Sequence, residues 1–166
     1  VAPQLQPPQE QPLPEKSLTV VIPAYNEAEN IALCLESVLS STPPCVEWQV
    51  LVVDDESSDA TAELAAASAA HLPHTSAGFS LLSAGPRPAG ERWVGKNWAC
   101  TRAMEQVHSD WVLFIDADVQ LQTDALQRAL AQAISDQADL LSLAPRLTCG
   151  CLAEWMVQPI MASLLG

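Results

Sequence analysis

Basic residues are scarce in this sequence. Seven Lys and Arg residues stand against 20 Asp and Glu residues, which gives a formal net charge of -13 at pH 7. Proteins that bind nucleic acid neutralise its phosphates with Lys and Arg, so this balance argues against a nucleic-acid partner. It also argues against direct attraction of the domain to anionic lipid headgroups. The basic residues are nevertheless concentrated, because four of the seven lie in one short stretch: Arg87, Arg92, Lys96 and Arg102.

Regularly spaced cysteines and histidines are also missing. The five cysteines are an odd number at irregular positions and include no C-x-x-C pair, which argues against a disulfide framework and against a zinc site. We therefore predict reduced thiols and a cytoplasmic location. The three histidines, His71, His74 and His108, have neither metal spacing nor a partner nucleophile, so we predict that they lie on the surface.

A long apolar run and a signal peptide are absent too. The first residue is Val1 rather than Met, so this observation covers only these 166 residues. Hydrophobic residues make up 49% of them, which predicts a globular domain with an apolar core. Residues 1–16 are dominated by Pro and Gln, and we expect them to form an extended linker.

From residue 17 to residue 146, short apolar strands alternate with amphipathic helices. The predicted strands are 18–23, 49–53, 79–82, 111–115 and 140–143. The predicted helices are one capped by Asn26 with Glu29 in the capping-box position, one capped by Ser57 or Ser58, and two at 96–107 and 123–134. This alternation predicts an α/β fold, with a Rossmann-like, mostly parallel sheet and helices on both faces.

Polar and acidic side chains follow three of the predicted strands. The three segments are 23–27, 54–59 and 116–118. Because the carboxyl ends of parallel strands meet at one edge of a sheet, we expect these side chains to lie close together. Clustered carboxylates repel each other unless a cation compensates, and Mg²⁺ or Mn²⁺ accepts such oxygen ligands together with phosphates and water. We therefore predict that Asp118 binds a divalent ion against a diphosphate, with further positive charge from residues 87–102.

In their order and spacing, these segments resemble the family-2 glycosyltransferases, which have a GT-A fold. The matching stretches are Val-Val-Ile-Pro-Ala-Tyr-Asn-Glu at 20–27, Val-Val-Asp-Asp-Glu-Ser-Ser-Asp-Ala-Thr at 52–61 and Asp-Ala-Asp at 116–118. Trp-Val-Gly-Lys-Asn-Trp-Ala at 93–99 is similar to a subgroup that acts on lipid acceptors, including hopanoid-associated and carotenoid glycosyltransferases. Arg146-Leu147 and the pattern of Glu154-Trp155 with Gln158-Pro159 point to the same subgroup. The resemblance runs from Ser17 to the end of the chain.

The resemblance implies a UDP-sugar donor, or a GDP-sugar as the second choice, bound with Mn²⁺ or Mg²⁺. Asp55 would accept a hydrogen bond from the uracil N–H, and Asp116 would lie near the ribose and, with Asp118, at the metal. Lys96 would neutralise a phosphate, or else only begin a helix in solvent. The residues implied to line the base and ribose are Pro23, Ala24, Tyr25 and Glu27.

The implied reaction is sugar transfer with inversion. An acceptor hydroxyl attacks the anomeric carbon opposite the diphosphate, through a transition state with oxocarbenium character. A carboxylate must take the acceptor proton, and in the family this base is an Asp in the second half of the domain. The acids after Asp118 are Asp124, Asp136, Asp139 and Glu154, and none lies in a matching motif.

The catalytic base is therefore unassigned. Residues 147–166 are expected to begin an acceptor half that is truncated here. By the subgroup resemblance the acceptor is a lipid, and membrane contact, on the cytoplasmic face, would come from segments outside this chain. A competing hypothesis is a non-catalytic nucleotide-sugar-binding fragment.

Two further protein classes would use the aspartates differently. Asp116-Ala-Asp-Val119 resembles the nucleophile loop of haloacid-dehalogenase-type phosphatases, but that loop belongs on the first strand rather than the fourth. A receiver domain would use Asp54 and Asp55 but would need a phosphoacceptor on the next strand. For Asp54 we favour a structural role in the turn, and for Trp98 a role in the core.

Overall fold

Four parallel strands and four helices make up the part of the chain described by the computed structural model, residues 12–71, 76–90 and 95–143. The sheet has the strand order β3-β2-β1-β4. In chain order the elements are β1 (Ser17–Ala24), α1 (Ile31–Leu39), β2 (Glu47–Asp54), α2 (Thr61–His71), β3 (Gly78–Ser83), α3 (Asn97–Met104), β4 (Trp111–Phe114) and α4 (Ala125–Ser135). The predicted α/β fold with a parallel sheet is confirmed.

Strand β1 lies between β2 and β4. Val21 is opposite Leu51 of β2 and opposite Phe114 of β4, and both pairings are parallel. Every residue of β1 after Ser17 is buried. A strand that is covered on both faces needs an unbroken apolar run, and the sequence of β1 supplies it.

Helices cover both faces of the sheet. On one face Val20 and Ile22 pack with the buried apolar sides of α1 and α4. On the other face Val21, Leu51 and Val53 pack against Ala99 and Ala103 of α3. Since helices cover both faces, a ligand can reach polar side chains of the sheet in the loops at the carboxyl ends of the strands.

The first helix begins later than the predicted cap implies. Helix α1 starts at Ile31 with Asn30 at its N-cap position, and no side chain caps it by a hydrogen bond. Asn26 has a φ of 54°, and its Oδ1 accepts a hydrogen bond from the backbone N–H of Ser58. The prediction that Asn26 caps α1, with Glu29 closing a capping box, was therefore wrong. The side chain bonds to a neighbouring loop instead of to its own helix.

The start of α2 also differs from its predicted cap. The carboxylate of Asp59 accepts the hydrogen bond from the Thr61 backbone N–H at 3.0 Å. Ser57 and Ser58 use their polar groups on the loop after β1. The prediction that one of these serines caps the helix was wrong, because a tertiary contact takes precedence over the local one.

The predicted fifth strand does not form at 140–143. The side chain of Leu140 is 86% exposed, and α4 is followed by a turn in which Gln137 has a φ of 50°. Leu141 and Leu143 line an apolar groove of about 100 Å³ that runs between Trp111 of β4 and α4. The apolar pattern predicts a strand, but these leucines lie against side chains rather than in the sheet.

Several predictions concern residues outside the described ranges. Most of the linker at 1–16 lies outside them, as do all of 147–166 and the Arg146-Leu147 and Glu154-Trp155 motifs. Among the described residues, no helix has both the length and the apolar character needed to cross a membrane.

Candidate functional site

The carboxyl ends of β1, β2 and β4 bring the three predicted segments to one edge of the sheet. Ala24 ends β1 opposite Asp54 of β2, and the Asp55 N–H donates to the Ala24 carbonyl oxygen at 2.9 Å. On the other side of β1, the Ile115 N–H donates to the Val21 carbonyl oxygen at 3.1 Å. The chain therefore enters the Asp116-Ala117-Asp118 triplet beside the end of β1.

Hydrogen bonds join the loops after β1 and β2 directly. In each bond, a backbone N–H of one loop donates to a side chain of the other. The bonds are Asn26 to Ser57 Oγ at 2.9 Å, Glu27 to Thr61 Oγ1 at 2.8 Å, Ala28 to Asp59 Oδ2 at 3.2 Å and Ser58 to Asn26 Oδ1 at 2.8 Å. The loop that carries Tyr25 and Glu27 is thereby fixed to a second loop at four points.

Thr61 is the most enclosed member of this network. It is fully buried, its hydroxyl donates to the Asp59 carboxylate and it accepts from the Glu27 N–H. The bond from Thr61 is also the main reason that the pKa of Asp59 lies below its usual range. Thr61 thus links the start of α2 to the loop after β1.

Replacing Thr61 with Val is expected to lower the free energy of unfolding by about 1–3 kcal/mol, because the Glu27 N–H loses its acceptor while the shape of the side chain is kept. Equilibrium urea unfolding measures the change. Thr61→Ser keeps the hydroxyl and is the matched control, which should retain most of the stability. A Val variant as stable as the wild type would show that the bond contributes nothing.

Asp55 and Arg87 form an ion pair at the end of β2. Asp55 is only 7% exposed, and the Arg87 guanidinium donates to its Oδ2 at 2.6 Å. Arg87 comes from the loop after β3 and is 44% exposed. The pair places a hydrogen-bond acceptor and a hydrogen-bond donor side by side. The sequence pointed to Asp55 and to a basic loop, but not to the contact between them.

Asp54 differs from its neighbour. Its Oδ2 accepts a hydrogen bond from the Ser57 N–H at 3.3 Å, as expected for a residue that shapes the turn. Its Oδ1 is buried and accepts no hydrogen bond from the described residues.

Lys96 contacts the acidic triplet. Its Nζ lies 2.8 Å from Asp116 Oδ1, and both side chains are exposed. Lys96 occupies the N-cap position of α3, so the start of this helix brings a positive charge to the end of β4. Lys96 thus lies at the start of α3 and contacts an acidic side chain, and its predicted contact with a phosphate stays a prediction.

Three of the predicted carboxylates act on one buried thiol. Burial raises the pKa of Cys34 to about 12, and the negative charges of Asp118, Glu27 and Asp116 add to the effect. The Cys34 thiol also donates to the Asp116 carbonyl oxygen at 3.7 Å. The backbone of Asp116 therefore lies beside α1, and charges from the loops after β1 and β4 act on the same thiol.

These acids do not form a complete metal cage. No group of three His, Cys, Asp or Glu side chains that could hold a metal is present in the described ranges. Asp116 and Asp118 offer the oxygen atoms that Mg²⁺ and Mn²⁺ prefer, and these ions take many of their ligands from phosphates and water. The residues fit an ion that is shared with a bound diphosphate.

The remaining predicted residues divide by exposure. Pro23 and Ala24 are buried, whereas the ring of Tyr25 is 59% exposed. Trp98 is half-buried against the α3 face of the sheet, as predicted. His71 and His108 are exposed, also as predicted. His74, Arg92 and Trp93 lie outside the described residues.

The sequence matches a known family model and curated relatives. The model described as "Glycosyl transferase family 2" matches residues 19–162. Two 4,4'-diaponeurosporenoate glycosyltransferases are similar over 132 residues, at 30% identity in Staphylococcus haemolyticus (strain JCSC1435) and 32% in Staphylococcus aureus (strain bovine RF122 / ET3-1). In both cases the match covers 78% of this chain but only 32% of the relative.

Solved structures share the fold. The mannosyltransferase PcManGT from Pyrobaculum calidifontis, in complex with GDP-Man and Mn²⁺, aligns with a TM-score of 0.60 at 27% identity, over 78% of this chain and 36% of that one. Residues 1–349 of TarS from S. aureus align with a TM-score of 0.61 at 22% identity, over 80% of this chain and 38% of that one. The second likeness bears on the fold alone.

Proposed function

Since this chain belongs to glycosyl transferase family 2, we propose that it forms the donor-binding half of an enzyme. The enzyme transfers the sugar of a nucleotide-diphosphate sugar to an acceptor hydroxyl, with inversion at the anomeric carbon. The observation that carries the proposal is the meeting of three loops at one edge of the sheet. There the Asp55–Arg87 pair and the Lys96–Asp116 pair lie on opposite sides of β1. The match covers 32% of the length of these curated relatives.

The Asp55–Arg87 pair suits a uracil or guanine base. Arg87 bonds to Oδ2, and a carboxylate has further acceptor positions on Oδ1. Uracil and guanine each present a ring N–H beside a carbonyl oxygen, which matches a carboxylate acceptor beside a guanidinium donor. In the orientation of uracil, cytosine would place its ring acceptor against the Asp55 carboxylate and its amino donor against the Arg87 guanidinium, so both contacts would be mismatched. UDP-sugar is the proposed donor and GDP-sugar the alternative, and the exposed ring of Tyr25 can stack on either base.

The diphosphate would lie at the end of β4. Asp118 and Asp116 would hold Mn²⁺ or Mg²⁺, whose charge offsets the charge that develops on the leaving diphosphate. Lys96 already lies at this position and would turn from Asp116 to a phosphate oxygen. Glu27 follows β1 and is proposed to contact the ribose together with Asp116, and Pro23 and Ala24 are proposed to form the floor beneath the base.

The acceptor is proposed to be a lipid. The names of the curated relatives, 4,4'-diaponeurosporenoate glycosyltransferases, support this class. Membrane contact on the cytoplasmic face would come from parts of the protein outside this chain. The family match leaves no support for the phosphatase hypothesis.

A binding module without turnover is the second candidate for the chain by itself. Two of the described acids after Asp118 have local partners within or beside α4. Asp124 pairs with Arg128, and Asp136 accepts from Gln132. These contacts tie both acids to α4 and leave the catalytic base unassigned.

Calorimetric titration of nucleotides into the 166-residue chain tests the proposal. We expect UDP, and to a lesser degree GDP, to bind in the presence of Mn²⁺, and CDP to bind at least about tenfold more weakly because two hydrogen bonds are mismatched. A chelator should weaken UDP binding. If the circular-dichroism spectrum shows a folded chain and neither UDP nor GDP binds under any condition, the proposed function is wrong.

A further inference from the structure

Helix α3 is hydrogen-bonded to the loop that carries Arg87. The indole Nε1 of Trp98 donates to the Gly85 carbonyl oxygen at 2.8 Å, and Arg102 Nε donates to the Ala84 carbonyl oxygen at 3.2 Å. The Arg102 guanidinium lies 5.7 Å from the centre of the Trp98 ring, within the range of a cation–π contact. Two consecutive carbonyl groups of the loop are therefore held by two side chains that also contact each other.

The loop is fixed on its other side by β2. The Ala84 N–H donates to the Asp54 carbonyl oxygen at 2.8 Å, and Ala84 is 2% exposed. Gly85 follows with a φ of 68°, where the chain turns away from the sheet. Two residues later Arg87 reaches back to Asp55. The position of the Arg87 guanidinium thus depends on how the Ala84–Gly85 step is held.

We propose that Trp98 is a positioning residue for nucleotide recognition, which sets Arg87 beside Asp55 through its hydrogen bond to Gly85. The inference rests on the proposed function, because it assigns a role within that binding site. The sequence favours a core role for Trp98 over stacking on a sugar or lipid, and the side chain does pack on the α3 face of the sheet. Its indole N–H gives it a second role, since that group bonds to the loop and not to the core.

The same helix carries Lys96 at its start, so α3 supports both cationic groups of the site. Lys96 reaches Asp116 directly, whereas Arg87 is supported through Trp98 and Arg102. Loss of the Trp98 bond should therefore affect recognition of the base more than binding of the diphosphate.

Trp98→Phe separates the two roles of the side chain, because it keeps an aromatic ring and removes the N–H. We expect UDP to bind about tenfold more weakly to this variant. The bond from Trp98 to Gly85 is lost, and the contact that Arg87 makes with the base is weakened. The preference for UDP over CDP should narrow by a similar factor. Trp48→Phe is the matched control, because it also removes an indole N–H, which donates to Ser76 Oγ. Trp48 lies near the start of β2, whereas the site lies at the other end of that strand. It should leave the affinity for UDP within about twofold of wild type.

A double-mutant cycle with Arg87→Gln decides whether Trp98 acts through Arg87. If it does, Trp98→Phe should change UDP affinity by less than about twofold when Arg87 is already Gln. Equal losses in both backgrounds, or an unchanged UDP-to-CDP preference, would overturn the inference and leave Trp98 a packing residue. If Trp98→Phe does not fold, Arg102→Met takes its place in the same cycle, because it removes the neighbouring hydrogen bond to Ala84. The same outcomes then support or overturn the inference. Failure of the wild-type chain to bind UDP would instead overturn the proposed function, and this inference with it.

Discussion

Asp118→Asn is expected to abolish the Mn²⁺-dependent part of UDP binding. The substitution keeps the size of the side chain and removes the negative charge that a divalent ion needs. The ion would then be left with the phosphates, water and a single carboxylate, that of Asp116. A loss of about 100-fold in affinity, or about 2.7 kcal/mol, is the expected size of the effect. Titration of UDP with Mn²⁺ and then with chelator measures it, and the variant should give the same weak binding in both.

The matched control for this experiment is Asp139→Asn. Asp139 is exposed and follows α4, so its substitution changes the net charge equally without touching the triplet. Wild-type affinity is expected for it. If Asp118→Asn and Asp139→Asn weaken UDP binding alike, overall charge rather than metal ligation explains the loss. If Asp118→Asn binds like wild type, the assignment of the metal to Asp118 is wrong.

The second large effect is expected at Asp55. In Asp55→Asn the charge is lost from a nearly buried position, so Arg87 loses its partner and the base loses a charged acceptor. Hydrogen bonds to charged groups contribute about 1.5–3 kcal/mol, which corresponds to roughly 10- to 100-fold weaker UDP binding. The loss should appear with and without Mn²⁺, in contrast to the effect at Asp118. Calorimetry under both conditions distinguishes the two residues.

Glu56→Gln is the control for Asp55. Glu56 is the next residue and is exposed, with a φ of 59°, and its substitution removes the same charge. We expect UDP binding to be unchanged by it. If Asp55→Asn retains full affinity, the base does not contact this carboxylate, and the Asp55–Arg87 pair is then a structural ion pair.

Most of the sheet was predictable from the sequence, for a physical reason. Strands β1 and β2 are buried on both faces, so each needs an apolar run, and the runs stand out in the chain. The leucines at 140–143 form a similar run but lie in a groove beside β4. An apolar run favours burial, but it decides neither how far each side chain is buried nor whether the backbone pairs, since Leu140 is 86% exposed.

The pairings within the site were less predictable. Acidic residues after the strands indicated one edge of the sheet, and the topology confirms that they meet there. The partners depend on contacts distant in sequence: Arg87 lies 32 residues from Asp55, and Asn26 lies 32 residues from Ser58. Local rules assign Asn26 and Ser58 to helix caps, because those rules count only neighbours along the chain. The charge of Arg87 is evident in the sequence, but we infer that its position depends on Trp98. The sequence does not show that the Trp98 N–H bonds to Gly85.

The acids around Cys34 lead us to expect an order in which the proposed donor site fills. Asp116, Asp118 and Glu27 all act on the Cys34 thiol and the chain has a net charge of -13, so a free nucleotide diphosphate is expected to meet a repulsive field as it approaches. An ion that arrives first, or together with the diphosphate, reverses the sign of that field. The association rate should then rise with divalent-ion concentration until the nucleotide is fully complexed. Added monovalent salt should speed the encounter of the bare nucleotide, since screening weakens repulsion as well as attraction.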